Sequence, residues 1–367
     1  MSELRRTSLY QTHLDAHATL VPFAGWEMPV AYPMGTVKEI DAVRTGAGVF
    51  DVSHMGEARV TGEQALAFVQ HVTTNDAGKL RHGTAQYSLL LNDAGGIQDD
   101  VIVYCHGPSD YVIVLNAGCK DSDWAWLVSQ SQAFPHVTLT DESDQTALIA
   151  VQGPGAVALV ARLTVPHMAD LKRFEFVYGF VPGSRDRRTL YSRTGYTGED
   201  GFEIFCAWDD APALWDALTD AGATPAGLGA RDVLRLEAAY PLYGHELDAT
   251  HTPWASGVGW AVKPRKGDFA GRSAALALRG KAPAQVLVGL RMDERAIPRE
   301  HFAVFDQSGA RIGETTSGTY SPTVKAGIAL ARVGEAFAAV GTRAAIDIRG
   351  RLVKATVVPT PFYRNGV

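Results

Sequence analysis

Residues 85–118 read AQYSLLLNDAGGIQDDVIVYCHGPSDYVIVLNAG, and the way this stretch folds decides the class of the chain. Three apolar runs are separated by Asp93-Ala94-Gly95-Gly96 and by a second turn around Gly107-Pro108, which predicts three successive strands joined by turns. Side chains alternate along a strand, so Asp100 shares a face with Ile102 and Tyr104 while Asp99 lies on the other. The two carboxylates therefore cannot act as a same-face pair. A hairpin through HGPSD brings Asn116, at the end of YVIVLNAG, near the aspartates. Asp100, Tyr104 and Asn116 then line one pocket wall, the alternative being that Asp99-Asp100 are polar residues opening a strand, as aspartates at turns often are.

Working outward, helices are expected over Thr36 to Thr45 and over EQALAFVQHVTT, with DVSHMGEARVTG between them as a strand and Gly/Pro punctuation around FAGWEMPVAYP before them. A helix around Asp121 to Ser131 completes a compact α+β unit that ends near the polar run Thr140 to Gln145. ALIAVQGPGAVALVARL reads as strand, Gly-Pro turn and helix. RFEFVYGFVPGSRDRR reads as a variable segment, SRTGYTGEDGFEIF (192–205) supplies strands, and APALWDALTDAG and LGARDVLRLEAA supply helices. A short helix is expected around Ser273 to Leu278. From about Ala284 the pattern is almost all strand, in six short runs from VLVGLRM to LVKATVVP, which predicts a terminal β-barrel or sandwich.

With 367 residues, two or three domains are expected. Hydrophobic residues at 46% and charged residues at 20% argue against extensive disorder. A net charge of −6 disfavours a broad nucleic-acid surface. No apolar run is long enough for a membrane helix, and MSELRRTSLYQTHL lacks the apolar segment of a secretory signal. Cys105, Cys119 and Cys206 form no CxxC pair or disulfide framework, which fits a reducing, cytoplasmic setting.

Most standard signatures are absent. No GxxxxGK[ST] or GxSxG occurs, and Gly227-Leu-Gly229-Ala-Arg-Asp232 puts Asp where a dinucleotide fingerprint needs its third glycine. His13 and His17 sit four apart without a third ligand, so they read as surface residues and no metal is expected. Two further constellations stand out. Arg231 and Arg235 are helical neighbours with Asp232 in reach of Arg235, which makes either a fork for carboxylates or a solvated face with one ion pair. In SRTGYTGEDGFEIF, Tyr196 lies in a glycine-flanked loop just ahead of Glu203, and a strand starting near Gly201 puts Phe202 and Ile204 on one side and Glu203 with Phe205 on the other. Glu203 is then a solvent-facing residue or an acceptor for a polar group. Carboxylates, an amide, aromatic rings and arginine together suit a folate, with its donor-rich pterin, aromatic middle and anionic tail, without singling it out.

FAGWEMPVAYP, GVFDVSHMGE, GGIQDDVIVY, VLNAG, VQGP, SRTGYTGEDGFEI, GLGARDVLRLEA, PLYGHELD, GVGWAV, TTSGTYSP, IALA and VVPTPFY follow one another from about residue 9 to residue 363. In these segments and their order the chain resembles the T-protein family of the glycine cleavage system, the tetrahydrofolate-dependent aminomethyltransferases. The resemblance implies a three-domain, cloverleaf-like α+β fold with a C-terminal β-barrel. It implies a discontinuous α+β folate-binding domain over residues 1–54 and 146–280, an α+β domain over 55–145 and the barrel over 281–367. The implied reaction moves the methylene of the aminomethyl group on lipoyl H-protein to tetrahydrofolate, giving 5,10-methylenetetrahydrofolate and ammonia. The implied partners are lipoylated H-protein and tetrahydrofolate, with neither nucleic acid nor membrane.

Carried over by motif, Asp100 resembles the family's key carboxylate beside the folate nitrogens. Glu203, with Asn116 alongside, resembles the acceptor of the pterin donors. Met55, Tyr87, Tyr104 and Tyr196 match folate-contact positions. Arg231 matches the arginine that holds the anionic tail, with Arg235 as partner, and Tyr363 or Arg364 closes the channel, Arg364 being counted with the folate-binding set. Cys119 after NAG and ERAIPREHF at 294–302 depart from the usual pattern, outside these positions. Folate-dependent demethylases share the fold. Oxidase fusions add a flavin domain, and the non-enzymatic iron–sulfur relatives carry a KGC signature that this sequence lacks.

Overall fold

The computed structural model describes residues 3–164, 166–182, 188–281 and 283–365. The chain opens with α1 (Tyr10–Asp15), the hairpin β1 (Thr19–Phe23) and β2 (Trp26–Ala31), α2 (Thr36–Thr45) and β3 (Gly48–Asp51). Then come β4 (Gly56–Thr61), α3 (Ala65–Val72), β5 (Thr84–Leu91), β6 (Ile97–Gly107), β7 (Asp110–Leu115), α4 (Lys120–Ser131) and β8 (Thr138–Asp141). The next elements are β9 (Thr146–Gln152), α5 (Ala156–Leu163), β10 (Phe176–Phe180), β11 (Arg188–Ser192), β12 (Gly201–Ala207), α6 (Ala211–Asp220), β13 (Thr224–Pro225), α7 (Leu228–Glu237) and α8 (Arg272–Leu278). The chain ends in β14 (Gln285–Met292), β15 (Ala303–Phe305), β16 (Arg311–Ser321), β17 (Ala326–Gly334), β18 (Arg343–Ile348) and β19 (Arg351–Val358). No helix among the described residues is long and apolar enough to cross a membrane.

By density of contacts the chain forms two compact units, one of residues up to Ser88 with Val101–Arg231, the other of Leu89–Asp100 with the residues from Asp232 on. The first unit contains a six-stranded sheet of order β10-β11-β12-β9-β3-β13. Val49, Val151 and Phe202 are direct neighbours across three of its strands. They pack with Ile149, Ile204 and Trp215 into one fully buried cluster, covered by the apolar stripes of α5 and α6. Burying each such side chain stabilises the fold by roughly 1.5–3 kcal/mol. The five-stranded sheet has the order β5-β6-β7-β4-β8. The three strands and two turns predicted for 85–118 are therefore found, and the stretch DVSHMGEARVTG proves to be two strands. Its first residue ends β3, paired with β9, and from Gly56 it continues as β4, paired with β7 and β8.

The punctuation around FAGWEMPVAYP is a hairpin. Phe23 pairs with Trp26 across Ala24 and Gly25, whose φ values of 47° and 83° are the left-handed pair that a two-residue turn needs. His13 is buried rather than superficial. Its ring bonds to the Asp51 carboxylate at 2.9 Å and the Tyr32 hydroxyl at 2.9 Å, with Thr7 donating to the same aspartate at 2.7 Å. In the stretch 173–188, Phe176–Phe180 form β10, and residues 183–187 lie outside those described.

In the second unit the six predicted C-terminal strands close into a barrel of order β14-β17-β16-β15-β18-β19. A turn from the start of the chain's central meander is also fixed here. Asn92 donates to the Ala249 carbonyl at 2.8 Å and accepts from Gly96 at 2.9 Å, and the Ile97 amide donates to the Asp248 carbonyl at 3.1 Å. A Cβ on Gly96 would lie 1.9 Å from the Ala249 oxygen, and one on Gly95 2.6 Å from the Ala275 amide nitrogen. The Gly-Gly pair is thus demanded by close packing as well as by the turn.

Arg235, read from the sequence as a ligand partner or a solvated residue, is neither. It is 1% exposed and donates to Asp232 at 2.8 Å, to Glu246 at 2.9 Å and to Ser317 at 2.8 Å. Glu246 also accepts from the Leu242 amide at 3.1 Å and from the Thr316 hydroxyl. Removing one member strands the other's charge in the interior. Arg235→Met is expected to cost about 3–5 kcal/mol, measured as a lowered urea midpoint.

Candidate active site

The geometry of the site begins with α7. Glu39, buried on α2, accepts from the Tyr32 amide at 2.6 Å and from the Gly227 amide at 3.0 Å. A carboxylate at the entrance to a helix satisfies one of its free amides and complements its dipole. Gly227 approaches Val30 so closely that a Cβ would lie 2.4 Å from its carbonyl oxygen. Arg231, one turn further on, is therefore set by backbone anchors. Its guanidinium carbon lies 4.8 Å from the centre of the Tyr196 ring, and its Nη1 is buried with no hydrogen-bond partner among the described residues. Burial pulls the Arg231 pKa down, against the opposing charge of Glu203.

Tyr196 owes its place to clamps around the loop 193–201. Arg44 donates to the Thr197 carbonyl and to Glu199, both at 2.8 Å. Gln152 donates to the Thr194 carbonyl at 3.1 Å and accepts from the Thr197 hydroxyl at 2.9 Å, while Arg193 bonds Asp200. A Cβ on Gly195 would lie 1.9 Å from the Gln152 oxygen. Beyond the loop, β12 alternates as expected, with Phe202 and Ile204 in the core and Glu203 and Phe205 half-buried on the other side. Glu203 makes no hydrogen bond or ion pair with a described residue.

The wall facing these groups is the sheet face of β6, β7 and β4. Tyr104, Val112 and Val114 pack with Phe176 and Leu190, and Met55, Ile102 and Phe205 lie against them. Tyr104 sits edge-on to Phe205 at 5.2 Å and reaches the Thr194 hydroxyl at 3.3 Å. Burial, reinforced by Glu203, raises the Tyr104 pKa and keeps the phenol protonated. Asn116 follows Leu115, which pairs with Gly56, the residue after Met55. The first unit thus brings together Met55, Tyr104, Tyr196, Glu203 and Arg231, with Asn116 at the end of the strand beside Met55.

Tyr87 is half-buried on β5, where its carbonyl accepts from Asn75 at 2.8 Å. Asp100 is half-buried on β6, while Asp99 on the opposite face is fully buried. Asp100 belongs to the second unit with Arg364, which is exposed near the chain end.

Sequence reasoning missed His54. It is buried edge-on to Phe23 at 5.5 Å, and its Nδ1 lacks a partner among the described residues. Burial lowers its pKa from 6.5 to about 4, with Arg231 also pushing down and Asp51 opposing, so the ring is neutral at ordinary pH. Glu57 was missed too; it is fully buried on β4.

Comparison with known proteins bears directly on this arrangement. The family model described as the GCVT N-terminal domain matches residues 9–266, and that of the glycine cleavage T-protein C-terminal barrel domain matches residues 285–364. The chain belongs to the glycine cleavage T-protein family. An aminomethyltransferase of Symbiobacterium thermophilum is 46% identical over 99% of this chain and 98% of its own length, and one of Geobacillus kaustophilus is 46% identical over 99% of each. The crystal structure of the glycine cleavage system aminomethyltransferase T from Bartonella henselae superposes with a TM-score of 0.92 at 35% identity, covering 98% of both chains. The T-protein family, its α+β fold with a C-terminal barrel, and the aminomethyltransferase activity expected from the sequence are all borne out.

Because the folded His54 binds its proton more weakly than the unfolded chain does, stability contributed by its neutral form is lost as pH falls from 6.5 towards about 4. His54→Asn is expected to flatten that part of the acid-denaturation curve, followed by Tm against pH.

Proposed function

We propose that the chain takes the methylene of the aminomethyl group on lipoylated H-protein and transfers it to tetrahydrofolate, forming 5,10-methylenetetrahydrofolate and releasing ammonia. The observation that carries this reading is the pairing of a carboxylate and a guanidinium, Glu203 and Arg231, that no described residue satisfies, beside the apolar and aromatic wall of Met55 and Tyr104. A half-buried carboxylate without donors suits a pterin that supplies them, and an arginine with a free N–H suits the anionic tail.

In this reading Glu203 and Asn116 orient the pterin, Tyr87, Tyr104, Tyr196 and Met55 form the walls, and Arg231 with Arg364 holds the tail. Asp100 holds its negative charge where positive charge develops as the one-carbon unit passes from sulfur to nitrogen. Residues 1–54 with 146–280 are proposed as the folate-binding domain, 55–145 as a second α+β domain and 281–367 as the barrel domain. Support for the first boundary comes from β3 and β4, which pair into different sheets. A cytoplasmic location is in keeping with three buried cysteines, none in a disulfide among the described residues.

The test is ammonia and methylenetetrahydrofolate formation from aminomethyl-loaded H-protein, with and without tetrahydrofolate. Asp100→Asn keeps the shape and removes the charge. Its turnover is expected to fall by about 10²–10³ with folate affinity nearly kept, and unchanged turnover would remove Asp100 from this role. Glu203→Ala leaves the pterin donors unpaired and is expected to weaken folate binding by about 1–3 kcal/mol in calorimetry. Wild-type affinity in that variant would return Glu203 to an ordinary surface role.

A further inference from the structure

One buried carboxyl in the site wall has no part in the function above. Glu57 is 2% exposed, and neither of its carboxyl oxygens has a hydrogen-bond partner among the described residues. Its backbone is committed, since the amide donates to the Ser143 hydroxyl at 3.0 Å and the carbonyl accepts from Glu142 at 2.9 Å. The direction of the side chain is therefore set by the strand. Glu57 pairs with Val114, Val114 with Ile102, Arg59 with Val112 and Val112 with Tyr104. Direct partners share a face, so Glu57 lies within the wall that carries Met55, Tyr104 and Val114.

The charges around it come from every neighbouring element. Asp141 at the end of β8 and Glu142 beyond it repel a second negative charge, and Lys120 of α4, paired to Asp141 at 2.8 Å, attracts it. On its own strand Arg59 is occupied by Asp110 at 2.6 Å. Tyr104 contributes a protonated phenol. Burial first, then Asp141 and Glu142, push Glu57 well above the usual carboxylate range, which favours its acid form. A neutral acid without partners is a poor choice for stability at such a position and a good one for moving a proton.

We propose that Glu57, a buried carboxyl in the wall without a hydrogen-bond partner among the described residues, is a proton-holding residue of the aminomethyl-transfer site that lends its proton during turnover. The inference rests on the reaction proposed above. In that reaction two C–N bonds form to folate nitrogens, releasing two protons. The C–S bond and the C–N bond to the amine break, and sulfur and ammonia take up one proton each. Glu57 gives its proton to the leaving amine and recovers one from a folate nitrogen, so the balance closes without any oxidant or reductant.

The experiment is Glu57→Gln, which keeps the shape and abolishes proton exchange, in the full chain with loaded H-protein and tetrahydrofolate. Tm at or above wild type and folate affinity within about twofold are expected, with kcat lowered at least about tenfold. Wild-type kcat is expected to decline as pH rises through the Glu57 transition, and the variant to lack that limb. Glu57→Asp, which still carries a proton, is expected to recover part of the rate. Wild-type kcat and pH profile in Glu57→Gln would overturn the proposal, as would weakened folate binding with kcat intact. Absence of tetrahydrofolate-dependent ammonia release in the wild type would instead overturn the reaction itself.

Discussion

The buried pair of Arg235 and Glu246 organises what surrounds it. Two ions removed from water are tolerated only when geometry and extra hydrogen bonds compensate their desolvation. Here compensation comes from α7, from the Leu242 amide in PLYGHELD and from the Thr316 and Ser317 hydroxyls of the barrel strand β16. Arg332 donates to the Glu246 carbonyl and to Ser256, tying a second barrel strand to the same segment. Two residues on, Asp248 and Ala249 receive the turn that precedes Asp99 and Asp100. The pair thus anchors the segment on which the carboxylate-bearing strand begins.

One helix shows how architecture and binding divide the same chemistry. Arg231 and Arg235 are a single turn apart on α7. Arg235 has its donors bound to acidic, hydroxyl and carbonyl groups, and so contributes to stability. Arg231 is held by a cation–π contact and keeps a buried N–H with no hydrogen-bond partner among the described residues. Glu203 has the same character on β12. Native structures seldom leave buried polar groups unsatisfied, and the Arg231 Nη1 is one of those left so among the described residues.

Elements whose signal is periodic were legible in the sequence. The hairpins of 85–118, the helix over Thr36–Thr45 and the six barrel strands follow alternation and turn residues directly. What was hidden depended on partners far along the chain. Nothing local in FAGWEMPVAYP distinguishes a turn with φ positive at Ala24 from a loop, and nothing local in QTHLDAH says that His13 meets Asp51 across 38 positions. The candidate site was legible as motifs, and the alternation of Glu203 was correct. The distinction between Arg231 and Arg235 was not, because it depends on Glu246 and Ser317. Glu57 lies two residues after Met55, a position the family resemblance did mark, but its burial depends on Ser143 and Glu142 far along the chain.

The long separation of these partners also governs how the chain can acquire its structure on the ribosome. The Asn92 turn must wait for Ala249, 157 residues later, and Arg235 for Ser317, 82 residues later. Until the barrel strands have emerged, the nascent chain carries a charged pair that lacks the Ser317 and Thr316 hydroxyls. Completion of the last domain therefore finishes the charged pair beside the segment that holds the Asn92 turn, and a stalled or truncated product lacking it leaves that pair without its two hydroxyl partners.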